Sequence, residues 1–131
     1  MKSSKHSIAL FRSAPDESCH TTADLSRLTN RYEMLNVKLD KTGGLTEALL
    51  LTERAREAGF KLLLGCMVCT SLGIAPARLL ASAVDYVDLD GPLLLAGDRH
   101  HAVPYANGRI GIPPRELWGL NLRLIWAIKE T

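Results

Sequence analysis

Residues 34–44 read MLNVKLDKTGG, and the reading of this stretch decides the fold. Leu35, Val37 and Leu39 alternate with Asn36 and Lys38, the period of a strand with one apolar face. Gly43-Gly44 breaks that pattern, and a helical one follows. Leu45, Ala48, Leu49, Thr52, Ala55 and Ala58 recur at helical spacing, while Glu47, Glu53, Arg54 and Glu57 are free to face water. Gly59 stands where a left-handed cap closes a helix. The unit is therefore strand, turn, helix, with a lysine near the strand end.

Working outward, the unit repeats. Residues 61–68, KLLLGCMV, form an unbroken apolar run, as expected of a strand covered on both faces. Residues 70–83 are a second helix candidate, and Pro76 predicts that its regular part starts late or is kinked. Residues 84–90, VDYVDLD, make a further strand. Upstream, TTADLSRLTNRY reads as a helix capped by Thr21 or Thr22, and SIALF reads as a strand leading to Asp16. The steps from Asp16 to Lys38, Lys38 to Gly65 and Gly65 to Asp88 are 22, 27 and 23 residues, the length a strand, a helix and two loops need. AVPY and RIGI flank Ala106-Asn107-Gly108, a hairpin signal. The tail LNLRLIWAIKE is amphipathic and fits strand or helix.

Alternation of this kind argues for an α/β fold with a parallel sheet. About four strands are too few for a closed barrel of eight, which takes ~250 residues. The sheet stays open or belongs to something larger. Strand ends are where such folds build sites, and here they carry Asp16, Lys38 and the pair Asp88 and Asp90.

Composition narrows the classes. With 131 residues the expectation is one domain with a real core. Sixteen Lys+Arg against fourteen Asp+Glu leave a net charge of +2, and no basic stripe interleaved with aromatics suggests nucleic acid. No apolar run approaches the ~20 residues of a membrane span. The apolar stretch of residues 8–11 is too short for a secretory signal of roughly 7–15 apolar residues. Three cysteines cannot all pair within one chain, so a reducing, cytoplasmic setting is the simplest fit.

Taken together, PDESCH, NVKLDKTGGLTEAL, GCMVCTSL and VDLDGPLLL resemble the C-terminal part of the dipeptide epimerases, the L-Ala-D/L-Glu epimerase group of the enolase superfamily. The resemblance runs over residues 15–119 and leaves segments 1–14 and 120–131 unmatched. It implies a partial (β/α) TIM-type barrel, the last strands and helices of a barrel that in the family also has a capping domain. It implies Mg²⁺ held by three carboxylates, of which Asp16 matches the last. It implies two lysines on opposite faces of the substrate α-carbon, of which Lys38 matches the second. Asp88 and Asp90 match the aspartates that bind the dipeptide's α-ammonium.

The implied chemistry is 1,1-proton transfer through an enediolate. A lysine acts as a base near neutrality when burial or a nearby cation favours its neutral form. A metal cation also stabilises the developing enolate, the arrangement known for this superfamily. Two aspartates one residue apart on a strand point to the same side, which suits an ammonium. The family's first lysine and its two other metal carboxylates have no counterpart in the chain. The resemblance therefore implies a fragment completed by an N-terminal half or by a homo-oligomer, with a small dipeptide as substrate. Pro15 replaces a small residue, and Cys69 replaces the family's usual Glu or Gly.

Residue by residue, other readings stand beside these. Asp16 could be a first-turn acid of a helix. Lys38 in an apolar strand is harder to explain without function. Asp88 and Asp90 could form a solvated strand end. Cys66-x-x-Cys69 lies at a strand-to-helix junction, where redox pairs also sit. Zinc at Cys66, Cys69, Cys19 and His20 needs four converging ligands. His100 and His101 read as surface residues. A non-catalytic subunit of a split barrel is the alternative from another class.

Overall fold

The computed structural model describes residues 21–29 and 31–119. Its elements are α1 (Leu25–Leu28), β1 (Met34–Lys38), α2 (Leu39–Thr42), α3 (Leu45–Glu57), β2 (Lys61–Gly65), α4 (Ser71–Ala77), β3 (Tyr86–Val87), β4 (Tyr105–Ala106) and β5 (Arg109–Ile110). Short 3-10 helices occupy Thr22–Asp24, Arg78–Ala83, Gly91–Leu94 and Arg115–Trp118. β1, β2 and β3 form a parallel sheet in that order, with Lys38 level with Gly65 and Leu64 level with Val87. The helix–strand alternation expected from the sequence is present. The strand SIALF, Asp16, Cys19, His20 and the tail after Gly119 lie outside the described residues.

Side-chain parity divides the sheet into two faces. On one face Leu35, Val37, Leu62 and Leu64 are fully or almost fully buried against Ala48, Leu51, Ala55, Ile74 and Leu80. Each such leucine or isoleucine contributes roughly 1.5–3 kcal/mol by leaving water. The other face carries Met34, Asn36 and Lys38, then Lys61, Leu63 and Gly65. Here the expectation for KLLLGCMV needs correcting. Lys61 is exposed and Leu63 half-buried, so among the described residues only one face is covered. β3 is a short strand whose Tyr86 and Val87 are both exposed.

α3 buries Ala48, Leu51, Thr52 and Ala55, a face rotated from the sequence reading. Leu49 remains 49% exposed and Ala58 is exposed too. The Thr52 hydroxyl donates to the Ala48 carbonyl at 2.7 Å, which lets a polar side chain sit in the core. Gly59 closes the helix at φ 86. The second helix starts on time at Ser71 and tightens to 3-10 geometry after Ala77. Pro76 lies inside it, and the amide hydrogen it lacks is one cause of that change. The hairpin expected at Asn107-Gly108 forms, both residues having positive φ (51 and 70) as a type I′ turn requires.

Candidate functional site

β1 delivers Lys38 as its last residue, half-buried, on the face opposite the helix-covered leucines. The chain then turns at once into α2 and leaves through Gly43 and Gly44, at φ 77 and 122. β3 ends at Val87, and the Asp88 amide still reaches the Leu64 carbonyl at 2.8 Å. Asp88 thus extends the ladder level with Gly65 and Lys38. Two strand spacings, ~10 Å, separate the lysine strand from the aspartate strand at this level. Asp88 and Asp90 are exposed, and Leu89 between them is 2% exposed. The strand expected over residues 84–90 stops at Val87, and Asp90 has already turned to αR geometry at φ −87 and ψ −2, so the two aspartates lie past the strand and the alternation of a strand does not set their common side.

The turn after β2 lies between them. Lys38 Nζ is 4.0 Å from Met67 Sδ. The Met67 amide donates to Asp40 Oδ2 at 3.4 Å, tying this turn to the one that follows Lys38. On its other side the turn meets Gly91, where an added Cβ would come within 2.5 Å of the Met67 carbonyl and 3.2 Å of Cys66 Sγ. A glycine must follow Asp90 for this approach. Gly65 works similarly, with Asn36 Oδ1 at 2.6 Å from its would-be Cβ.

Sequence reasoning missed the outer supports. Tyr105 on the hairpin donates its hydroxyl to the Leu89 carbonyl at 2.6 Å, fixing the backbone between the two aspartates. Burial, then the nearby Cys66, Cys69, Asp98 and Asp90, push this phenol up to about 12. Asp98 accepts the Ser71 amide at 3.0 and 3.2 Å and the Ser71 hydroxyl, and that buried hydroxyl oxygen accepts the Val103 amide at 2.9 Å. Burial works against the Asp98 carboxylate, but the Ser71 hydroxyl and amide and the Arg99 amide overcome it and hold its pKa low. The hairpin was legible in the sequence. Its docking partner was not.

The first acid of VDYVDLD, Asp85, serves the opposite end of the sheet. Its carboxylate accepts the Leu62 amide at 2.8 Å and lies 3.5 Å from Arg56 and 3.7 Å from Lys61. Those contacts, the Leu62 amide first, lower its pKa.

Cys66 and Cys69 are half-buried free thiols. Burial raises the Cys66 pKa, the Gly91 amide opposing it and Asp90, Asp88 and Asp40 adding to it. Burial also lifts Cys69 to about 11, with Cys66, Asp40 and Asp98 adding. A redox nucleophile needs the opposite shift, so the CxxC redox reading is not supported. Among the described residues no three His, Cys, Asp or Glu side chains converge to hold a metal. The zinc set also needs Cys19 and His20, outside the described residues, and the Mg²⁺ set needs Asp16, likewise outside them. By themselves the described residues do not fit Mg²⁺. His100 and His101 are exposed, as expected.

Comparison with known proteins gives this geometry a context. No family model matches the chain. An N-acetyl-D-glutamate racemase from Pseudoalteromonas sp is 56% identical over 104 residues, which is 79% of this chain and 33% of that protein. The L-Ala-D/L-Glu epimerase of Escherichia coli K12 is 55% identical over 95 residues, 72% of this chain and 30% of the enzyme. A solved enolase family member from Agrobacterium tumefaciens, with homology to dipeptide epimerases and with sodium and L-Ala-L-Glu bound, superposes at a TM-score of 0.79. It is 50% identical over 83% of this chain and 33% of its own. A dipeptide epimerase from Methylococcus capsulatus, complexed with Mg and L-Arg-D-Lys, gives a TM-score of 0.68 at 34% identity over 76% of this chain and 30% of that one. The chain spans about a third of the length of these proteins.

The described fold is therefore similar to about a third of the (β/α) barrel proteins of the enolase superfamily. Within that superfamily the chain is a homologue of the dipeptide epimerases, matching about a third of them.

Proposed function

We propose that residues 15–119 form the part of a Mg²⁺-dependent epimerase barrel that contributes one proton-transfer lysine and the anionic clamp for the substrate's ammonium. Segments 1–14 and 120–131 lie outside that part. The observation that carries the reading is the common level of Lys38 and Asp88 at the ends of parallel strands, joined by the turn at residues 66–69. Lys38 Nζ takes the α-proton from one face of the α-carbon, or returns it there. Asp88 and Asp90 present two negative charges roughly two strand spacings away, and a dipeptide's ammonium fits between. Met67 and Asp40 orient the turn beside the lysine. Mg²⁺, when bound by carboxylates that include Asp16, supplies the charge that stabilises the enediolate. The family's first lysine and its other two metal carboxylates would come from the remainder of the barrel, outside residues 15–119.

A partner segment is part of the reading. The exposed strand β3 and the half-open face bearing Lys38 need covering. The remainder of an epimerase barrel is the proposed cover, a split-barrel partner or a second copy being the alternatives. The odd number of cysteines, three, supports a reducing, cytoplasmic setting.

Two similarly close relatives divide on substrate: one is named for a dipeptide and the other for an N-acetyl amino acid. The latter has no ammonium, so the aspartate pair favours the dipeptide. The test replaces the corresponding segment of the Escherichia coli epimerase with residues 15–119. The chimera should epimerise L-Ala-L-Glu with Mg²⁺, and Asp88→Asn should raise KM for it. Preference for N-acetylglutamate, unaffected by Asp88→Asn, would refute the clamp.

A further inference from the structure

We propose that the cavity bounded by Arg78, Val87 and Ile110 is a binding site for a small carboxylate with an apolar tail. The site does not depend on the epimerase reading. Its first wall is the 3-10 helix Arg78–Ala83, where residues three apart share a face, so Arg78 and Ala81 stand together with Ser82 beside them. The second wall is the end of β3. Val87 is level with Leu64 and so shares its helix-covered face, and Leu89 follows two residues on. The third wall is the hairpin, through Gly108 and Ile110. Together these residues line a cavity of about 410 Å³, within the ~300–1,000 Å³ typical of small-molecule sites. It lies behind the sheet from the face that bears Lys38.

The lining selects the ligand. Arg78 is half-buried, and among the described residues no side-chain hydrogen bond or ion pair engages its guanidinium. Asp85, the acid that opens this strand segment, is already held by the Leu62 amide, Arg56 and Lys61. A partly buried guanidinium favours an anion beside it, and its planar fork fits the two oxygens of a carboxylate. The Ser82 hydroxyl adds a donor at the exposed rim. The rest of the lining is mostly apolar. Val87 is 44% exposed, so an apolar tail removes from water a surface that the fold leaves wet. A bare acetate satisfies the arginine alone. The walls are also set before binding. Ile110 packs on the sheet core and on the cluster of Ala75, Val103 and Leu117, and Tyr105 ties the hairpin to the Leu89 carbonyl at 2.6 Å.

The test titrates the full, isotope-labelled chain with hydrocinnamate at neutral pH and follows the backbone amides by NMR. Saturable shifts should centre on Arg78, Ser82, Val87, Leu89 and the hairpin turn. The uncharged hydrocinnamide and the tail-less acetate should each bind about tenfold or more weakly, two comparisons that need no variant to fold. Arg78→Gln, with an unchanged far-UV spectrum, should weaken hydrocinnamate about tenfold or more and remove its advantage over the amide. Ser82→Trp, placed on the exposed rim, should block the cavity and weaken binding to a similar degree. No saturable binding, shifts centred elsewhere, equal affinity for hydrocinnamide or acetate, or full affinity in either variant would each overturn the proposal.

Discussion

Gly91→Ala probes the seam between the aspartate pair and the turn that touches Lys38. The added methyl would meet the Met67 carbonyl at 2.5 Å, Cys66 Sγ at 3.2 Å and the Cys69 amide nitrogen at 3.2 Å. Two of these three neighbours are backbone atoms, which cannot swing aside as a side chain can. Overpacking of this kind costs about 1–3 kcal/mol. For a chain of this size that lowers Tm by roughly 4–12 °C. Gly65→Ala is the internal comparison. Its methyl would meet Asn36 Oδ1 at 2.6 Å, the end of a side chain with rotamers to spare, so its cost should be smaller. Gly43→Ala meets nothing within 4 Å but must hold φ 77, a strain of about 1–2 kcal/mol. Thermal unfolding of the three variants by circular dichroism ranks them. The reasoning fails if Gly91→Ala unfolds within about 0.5 kcal/mol of the parent, or if Gly65→Ala is the more damaging.

Other outcomes follow from the supports of the site. Asp85 and Asp98 both have lowered pKa values in the fold. Their contribution is therefore complete above the unfolded carboxylate value of about 3.9 and is lost as pH falls through the lower folded values. Urea midpoints should hold steady from pH 7 to about 5 and drop below about 4, and Asp85→Asn with Asp98→Asn should flatten that drop. With its pKa at about 11, Cys69 should alkylate far more slowly at pH 7 than a free thiol and accelerate as pH rises; rapid alkylation at neutrality would revive the redox reading. Tyr105→Phe removes the donor to the Leu89 carbonyl and should cost about 1 kcal/mol in urea unfolding, a loss that Tyr86→Phe should not reproduce.

Much of the fold was legible because its signals are local. The alternation in residues 34–38 and the helical spacing from Leu45 onward mark elements that form where expected. Asn107-Gly108 predicts its own turn, since few other residues adopt positive φ twice in succession. What failed depends on contacts distant in sequence. The two-sided burial expected of residues 61–65 requires a covering layer for the Leu63 face, and periodicity cannot say whether the chain supplies one. Leu49 and Leu51 are equally apolar, and only packing against the sheet decides that Leu51 turns inward. The same limit applies at the site. Lys38, Asp88 and Asp90 stand out as charged residues at the ends of apolar strands. Tyr105, Asp98 and Asp40 do not, because their roles depend on Leu89, Ser71 and Met67, sixteen or more residues away in each case.

The most direct test of the account is hydrogen exchange at the α-carbon in D₂O, with the chimera of the Escherichia coli epimerase carrying Lys38 or Lys38→Ala. Two bases on opposite faces mean that each epimer loses its proton to a different lysine. Lys38→Ala should cut exchange from one epimer, L-Ala-L-Glu or L-Ala-D-Glu, by about a hundred- to ten-thousandfold while the other epimer still exchanges. Equal exchange from both epimers at the parent rate would contradict a proton-transfer role for Lys38.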